Sequence, residues 1–472
     1  MIGSKLYDAF KAAAKLDWTT SQEQAFGALS DFILDRGERI FLLKGYAGTG
    51  KTTVISIVSS VLEHYGIRTV LLAPTGRAAK VLSVTAGKTA YTIHKYIYRK
   101  NTAKGFDGKF SLNFNRQKNT LFIVDEASMI NAGSREEQTL FGSGSLLDDL
   151  LDFVFNGANN KLLLVGDDAQ LPPVREETSP ALSEGYIRPY GYPVNTAVLE
   201  EVTRQSENSG IIRNATLIRN ILTGKQDKKA LKLQLSEDVE LPESSEIWER
   251  IESSYASAGK EGTAIITVSN KMANAYNQTV RRKIFDYDEE ITEGDILMIV
   301  RNNYLWTPPK ASFSFLANGD FIRINEIYGF EEKYGIRFAD VNMALLYYPE
   351  FSLDAKLLLD TIYTHHPALD FDERKKLYEQ VALSYNLKNK RKTYEKVMED
   401  EYFNALEVKF AYAITCHKAQ GGQWEQVFID QGHFNFVEPD KNYLRWLYTA
   451  VTRAKEKLYL VNFSDKFLQN DE

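Results

Sequence analysis

Positions 45–53 read GYAGTGKTT and complete the spacing G-x-x-x-x-G-K-[ST], which is the spacing of a phosphate cradle. Gly45, Gly48 and Gly50 let backbone N–H groups converge on phosphate oxygens at a helix N-terminus, while Lys51 adds a point charge and Thr52 a hydroxyl for Mg²⁺. The nucleotide-binding set is Gly45, Ala47, Gly48, Thr49, Gly50, Lys51, Thr52 and Thr53. Downstream, Asp125 and Glu126 stand together in DEAS, with Asp125 suited to hold the metal with Thr52 and Glu126 suited to deprotonate an attacking water. In GDDAQLPPV at 166–174, Gln170 has the length and the paired donor and acceptor to contact a γ-phosphate or its water. Taken alone, an acidic pair after a strand is a cap or a solvated turn, and a proline-stopped GDDAQ is a turn.

These groups need rigid elements behind them. IFLLK at 40–44 is a short apolar run suited to a buried strand, and 54–64 carries apolar residues at helical spacing, so strand, glycine loop and helix follow in order. VLLA at 70–73, LFIV at 121–124 and LLLV at 162–165 are further apolar runs, each ending at a polar cluster. The pattern is that of an α/β parallel sheet with chemistry at the strand C-termini. A second alternation, through AIITV at 264–268, YAIT at 412–415, VFID at 427–430 and LYLV at 458–461, predicts a second sheet domain of the same kind.

Two segments interrupt the alternation. Residues 94–119 show β-like alternation around an Asp107-Gly108 turn, which predicts an inserted hairpin. Its basic residues Arg99, Lys100, Lys104, Lys109, Arg116 and Lys118 interleave with Tyr96, Tyr98, Phe106, Phe110 and Phe114, a composition suited to base stacking and phosphate neutralisation. A longer insertion begins near Pro308; its first half, with Asn318-Gly319-Asp320 and FIRI at 321–324, reads as strands, and 353–403 reads as charged helices.

The bulk properties set the class. A chain of 472 residues, 44% hydrophobic and 25% charged, is that of an ordinary soluble protein of several domains. No apolar stretch approaches the roughly 18 residues needed to span a bilayer, and the N-terminus lacks a signal core, so a reducing intracellular setting and no membrane partner are expected. Cys416 is the sole cysteine, which excludes an intramolecular disulfide and a cysteine-based metal site. The net charge of −6 argues against a surface that is basic all over, yet nucleic acid needs only local basic clusters. The basic run Lys388, Lys390, Arg391, Lys392 and Lys396 reads as a solvated helix face, and His365-His366 as ordinary histidines.

Gln22 in WTTSQEQAF, the loop at 45–53, APTGRAAK at 73–80, DEAS, GDDAQLPPV, LEEVTRQ at 199–205, AITCHKAQGGQWEQ at 413–426 and YTAVTRA at 448–454 occur in the order and spacing of superfamily 1 helicases. Over 22–461 the chain resembles the 5′-to-3′ RecD-like and Dda-like branch, and NKMANAYNQTVRRKIF at 270–285 is also similar to Dda-like proteins. The resemblance implies two RecA-like parallel-sheet motor domains, with an inserted β-hairpin subdomain and an inserted SH3-like and helical subdomain. The expected boundaries are 1–92 with 120–205 for the first motor domain and 93–119 for the hairpin; the second motor domain takes 206–307 with 407–472, and the second insertion takes 308–406.

The same resemblance implies roles. Gln22 would read the adenine edge, Arg204 and Arg453 would reach the γ-phosphate, and Gly421 would join the nucleotide site. Pro74, Thr75, Thr92, Ile93 and His94 match strand-tracking positions of the first domain, and Asn270, Thr415, His417 and Lys418 match those of the second. The hairpin would be the pin that splits the duplex, with Phe106 or Phe110 at its tip. The reading is an ATP- and Mg²⁺-dependent DNA helicase, translocating 5′ to 3′ as a monomer on single-stranded and forked duplex DNA, with replication or repair proteins as candidate partners. An RNA-directed superfamily 1 helicase and an ATPase that remodels nucleic acid without unwinding are the competing readings.

Overall fold

Strands that are apolar at consecutive positions must bury both faces, which places helices on each side of a parallel sheet. The computed structural model describes all of the chain except residues 1, 15–16, 101–109, 134–141, 204–208, 308–314, 433–437 and 470–472. Helices α1 (Ile2–Ala13) and α2 (Thr20–Leu34) precede β1 (Ile40–Gly45), α3 (Lys51–His64), β2 (Arg68–Ala73), α4 (Gly76–Ala86) and β3 (Ala90–Thr92). Next come α5 (Ile93–Ile97), β4 (Tyr98–Lys100), β5 (Phe110–Leu112), β6 (Thr120–Val124), α6 (Leu146–Phe155), β7 (Lys161–Gly166), α7 (Glu184–Ile187) and β8 (Val194–Leu199). Six strands form a parallel sheet in the order β3-β2-β6-β7-β1-β8.

Within β1 the side chains alternate between two cores. Phe41 and Leu43 pack with Phe26, Val54, Ile55 and Val58, and Ile40 and Leu42 pack with Phe122, Leu147 and Leu150. Helix α2 starts at a capping box: Thr19 accepts the Gln22 amide and the Gln22 side chain accepts the Thr19 amide. Strands β4 and β5 pair antiparallel with Tyr98 opposite Leu112, so a hairpin leaves the sheet here, and the tip lies outside the described residues.

The second half carries α8 (Gly210–Leu222), β9 (Val239–Glu240), α9 (Ile247–Gly262), β10 (Thr263–Thr267), α10 (Asn270–Lys283) and β11 (Ile296–Ile299). It continues through β12 (Phe321–Lys333), β13 (Ile336–Leu345), β14 (Tyr348–Leu358), α11 (Asp360–Tyr363), α12 (Phe371–Tyr385), α13 (Lys390–Met398) and β15 (Leu406–Phe410). Last come β16 (Ala413–Thr415), α14 (Cys416–Ala419), β17 (Trp424–Asp430), α15 (Lys441–Val451) and β18 (Ala454–Val461). A parallel sheet runs β16-β10-β17-β18-β9, and β11, β12, β13, β14 and β15 close into a barrel.

The barrel differs from the insertion expected at 308–406. Its strand β11 comes from the segment before Pro308, and β15, running on to Phe410, pairs antiparallel with β11, Leu297 opposite Phe410. The first is an apolar run and the second alternates apolar and charged residues; either pattern fits a strand of either sheet, and only pairing assigns them. Strand β14 also reaches Leu358, beyond the expected start of the helices at 353, because Leu353, Ala355 and Leu357 alternate into the core while Lys356 pairs with Glu331 and Asp340. The helices then cap one barrel end, where Leu377, Val381, Val397 and Phe403 pack on Phe338 and Leu358. No helix among the described residues is long and apolar enough to cross a membrane.

Candidate functional site

Strand β1 delivers the chain to the glycine loop, and α3 carries it away. Gly48 and Gly50 hold φ of 74° and 84°, the left-handed region that glycine enters at little cost, and a Cβ on Gly50 would stand 2.6 Å from Gln22 Nε2. Lys51 folds back over the loop and donates from Nζ to the Gly45 carbonyl at 2.7 Å and the Tyr46 carbonyl at 2.9 Å, with Asp167 4.0 Å away. The ammonium thus reaches across the mouth of the cradle, where a phosphate would offer it oxygens instead.

Gln22 stands beside this loop with its amide engaged at both ends. Nε2 donates to the Thr49 carbonyl at 3.0 Å and Oε1 accepts the Thr19 amide at 3.1 Å. In this structure it braces the loop, and a base-reading role requires that amide to be released.

At the end of β6, Asp125 Oδ1 accepts the Glu126 amide at 2.9 Å. Burial and the neighbouring Glu126 carboxylate push Asp125 up to about 7, against the pull of Lys51. Glu126 is held at φ 52°, a left-handed conformation uncommon outside glycine and concentrated at functional sites. Its Oε2, the Ser128 hydroxyl and Gln170 Oε1 are buried without a hydrogen-bond partner. Orphaned oxygens of this kind fit a site that takes a metal–nucleotide complex and its attacking water, and Asp125 and Thr52 are hard oxygen donors of the type that could hold Mg²⁺ there.

The two sheets meet here. Asp167, fully buried after β7, accepts the Tyr448 hydroxyl at 2.6 Å, and the same Tyr448 oxygen accepts the Ala47 amide at 2.9 Å. Leu171 N donates to Thr449 Oγ1 at 2.8 Å, and Gln420 Nε2 donates to the Leu171 carbonyl at 2.7 Å. Tyr448 and Asp167 lie inside motifs quoted from the sequence, yet the contact joins positions 281 apart and no local pattern marks the tyrosine hydroxyl for it.

Other expected site residues are engaged within the protein. Arg453 is 2% exposed and spends its donors on its own lobe: Nε to the Thr449 carbonyl at 2.9 Å, Nη1 to the Gly422 carbonyl at 3.0 Å and Nη2 to Thr452 Oγ1 at 3.0 Å. Gly421, expected at the nucleotide, packs against the first lobe, where a Cβ would stand 3.0 Å from Thr75 Oγ1, 3.2 Å from Ala78 Cβ and 3.6 Å from Met129 Sδ. Its φ of 70° is the left-handed conformation that glycine enters at little cost. Arg204 and Phe106 lie outside the described residues, and of Phe110 only the backbone, paired opposite Lys100, is described.

Of the expected strand contacts, Thr75 caps α4 through the Ala78 amide, following Pro74, and Thr92 caps α5 through the Lys95 amide. His94, in α5, is driven down to about 4 by burial and stays neutral. Asn270, Thr415 and Lys418 line one cleft together with Lys409. Burial brings Lys418 down to about 8, and its Nζ donates to Asn318 Oδ1 of the barrel at 2.6 Å. His417 is exposed, its ring pushed down by desolvation and by Lys418. The thiol of Cys416 is buried and pushed up to about 12, so it is inert.

Residues 19–239 match the family described as an AAA domain, and residues 410–461 match the UvrD-like helicase C-terminal domain. The chain is 24% identical over 472 residues to the ATP-dependent DNA helicase dda of Enterobacteria phage T4, an alignment covering 94% of this chain and 99% of dda. It is 32% identical over 203 residues to the ATP-dependent RecD2 DNA helicase of Deinococcus radiodurans, covering 42% of this chain and 25% of RecD2. The chain spans only 36% and 25% of the length of two of the curated relatives it matches, RecD2 being the second. Among solved structures, a Bacteroides Pif1 bound to ssDNA aligns over 97% of this chain and 95% of that one, with 16% identity and a TM-score of 0.49.

Proposed function

We propose that this chain, which belongs to the RecD-like and Dda-like branch of superfamily 1 helicases, is an ATP-dependent DNA helicase that moves 5′ to 3′ along a single strand. The observation that carries the reading is the Tyr448 contact, in which the second lobe touches both the phosphate loop and Asp167. Nucleotide arriving at that loop changes what the second lobe rests on. Similarity to dda over nearly the whole of both chains supports a motor of this size and layout.

Bound Mg²⁺ supplies charge neutralisation at the phosphates. The loop amides and Lys51 hold the phosphate oxygens, Lys51 giving up the Gly45 and Tyr46 carbonyls to do so. Asp125 and Thr52 would hold the metal. Glu126 takes a proton from the attacking water through its unpartnered Oε2, and Gln170 orients that water. Gln22 leaves Thr49 to read the adenine edge, and Arg453, leaving the Gly422 and Thr449 carbonyls, meets the γ-phosphate with Arg204 as the lobes close. Thr75, Thr92, His94, Asn270, Thr415, His417 and Lys418 grip the strand backbone in alternation as the lobes close and reopen.

The protein acts as an intracellular monomer on forked duplexes of the kind replication and repair present. The deciding experiment is unwinding of 5′-tailed against 3′-tailed duplexes with ATP and Mg²⁺, alongside ATPase stimulation by single-stranded DNA and RNA. Displacement from the 5′-tailed substrate alone, with DNA as the better stimulant, is expected. Strand-stimulated ATPase without displaced strand would sink the helicase reading in favour of a remodeller, and preference for RNA would overturn the DNA assignment.

A further inference from the structure

The turn at 317–320, which leads into β12 of the barrel, touches both strand-side patches at once. Asp320 Oδ2 accepts from Lys95 Nζ of α5 at 3.2 Å, and the two side chains are each 3% exposed. The other carboxylate oxygen, Oδ1, is buried without a hydrogen-bond partner and would lie 2.6 Å from a Cβ on Gly76, the first residue of α4. Two residues earlier in the turn, Asn318 Oδ1 accepts from Lys418 Nζ of the second lobe. One turn thus sets a carboxylate on the first lobe's patch and an amide oxygen on the second's.

Stability alone explains this arrangement poorly. A buried ion pair recovers its desolvation cost only when the remaining oxygen positions are also satisfied, and here Oδ1 is not. The Asp320 carboxylate instead lies between the Lys95 ammonium and the amino end of an eleven-residue helix, a setting in which an anion's oxygens are met. Thr75, the N-cap of that helix, and Thr92, the N-cap of α5, are both residues assigned to the strand. Lys95 was not among them. Glycine at 76 leaves the space that lets an anionic oxygen come this close.

We propose that Lys95 and the first turn of α4 form a phosphate subsite for the single strand, and that Asp320 fills this subsite until a strand displaces it. The inference rests on the strand-binding reading above. A strand entering between barrel and lobes replaces a carboxylate with a phosphodiester at Lys95 and frees Lys418 from Asn318. The barrel turn is then a self-docked competitor of the strand, and loading requires it to lift.

The test is equilibrium binding of a dye-labelled oligothymidylate over a salt series, with melting temperatures for each variant. Asp320→Asn keeps the acceptor for the Ala317 amide and removes the charge, so affinity should rise by about fivefold or more. Lys95→Met should weaken binding and reduce the salt slope by about one. The double variant should bind more weakly than Asp320→Asn alone, whereas equality would mean that Lys95 serves only to seat the barrel and would overturn the subsite. A folded Asp320→Asn with unchanged or weaker affinity would also overturn it. Should that variant unfold, Lys95→Met decides by itself, since unchanged affinity and slope refute the proposal. Failure of the unaltered protein to bind the oligonucleotide would instead sink the strand-binding reading underneath.

Discussion

Tyr448, on α15 of the second lobe, donates its hydroxyl to Asp167 of the first at 2.6 Å, and the same oxygen accepts the Ala47 amide of the phosphate loop at 2.9 Å. Burial and the Asp167 carboxylate raise the tyrosine well above its ordinary range, so the hydroxyl stays protonated and donates. A single oxygen therefore reports on the loop, the strand end after β7 and the distance between lobes.

Tyr448→Phe keeps the ring and removes that oxygen, leaving the Ala47 amide and one Asp167 oxygen short of a partner. Turnover in the presence of single-stranded DNA should fall between about 10- and 100-fold, chiefly in kcat, because loop and lobe lose their shared reference. Steady-state ATPase over a range of ATP concentrations checks this. A change confined to KM would show that Tyr448 only shapes the nucleotide pocket.

Lys51→Ala should abolish ATP hydrolysis and leave oligonucleotide binding near its original strength, since Lys51 touches the Gly45 and Tyr46 carbonyls and none of the strand-side residues. ATPase assays paired with fluorescence anisotropy test it. Normal turnover would refute the phosphate-cradle assignment.

Asp125 carries a pH signature. Its carboxyl, pushed up to about 7 by burial and by Glu126, holds a proton below that pH, and a metal must displace it. The apparent Mg²⁺ affinity should therefore improve by up to about tenfold per unit of rising pH below about 7 and level off above it. Mg²⁺ titrations of ATPase activity from about pH 6 to about pH 8 measure this, with Asp125→Asn expected to flatten the dependence. An equally steep profile in that variant would assign the proton elsewhere.

Replacing Phe106 and Phe110 together with Ala should reduce duplex unwinding more than translocation on single strands, as expected of a pin that only the duplex meets. Equal losses in a displacement assay and a translocation assay would remove the pin from the hairpin.

Much of the nucleotide site was legible because its parts are contiguous. GYAGTGKTT, DEAS and GDDAQ each end an apolar strand, and a parallel sheet brings successive strand ends to one edge. The barrel was only half legible: FIRI and the residues around Asn318 read as strands, but ILMI at 296–299 and the alternating LEVKF at 406–410 are strand-like runs whose partner no periodicity names. The extension of β14 to Leu358 was hidden by Asp354 and Lys356, whose charges suggested helix.

Sequence by itself pointed to the phosphate cradle, the acidic pair, the two-sheet plan and the family resemblance, because these depend on local spacing and on strand order along the chain. Tertiary structure alone decided what each side chain touches before any ligand arrives. Gln22 braces Thr49, Arg453 is held by carbonyls of its own lobe, Gly421 faces Thr75, and Tyr448 bridges the lobes. The same holds for Asp320, which meets Lys95 from 225 positions away. Apart from the Arg453 bond to Thr449, such contacts join residues distant in the chain, and they are set by how strands, lobes and barrel pack, which no local pattern of residue types records.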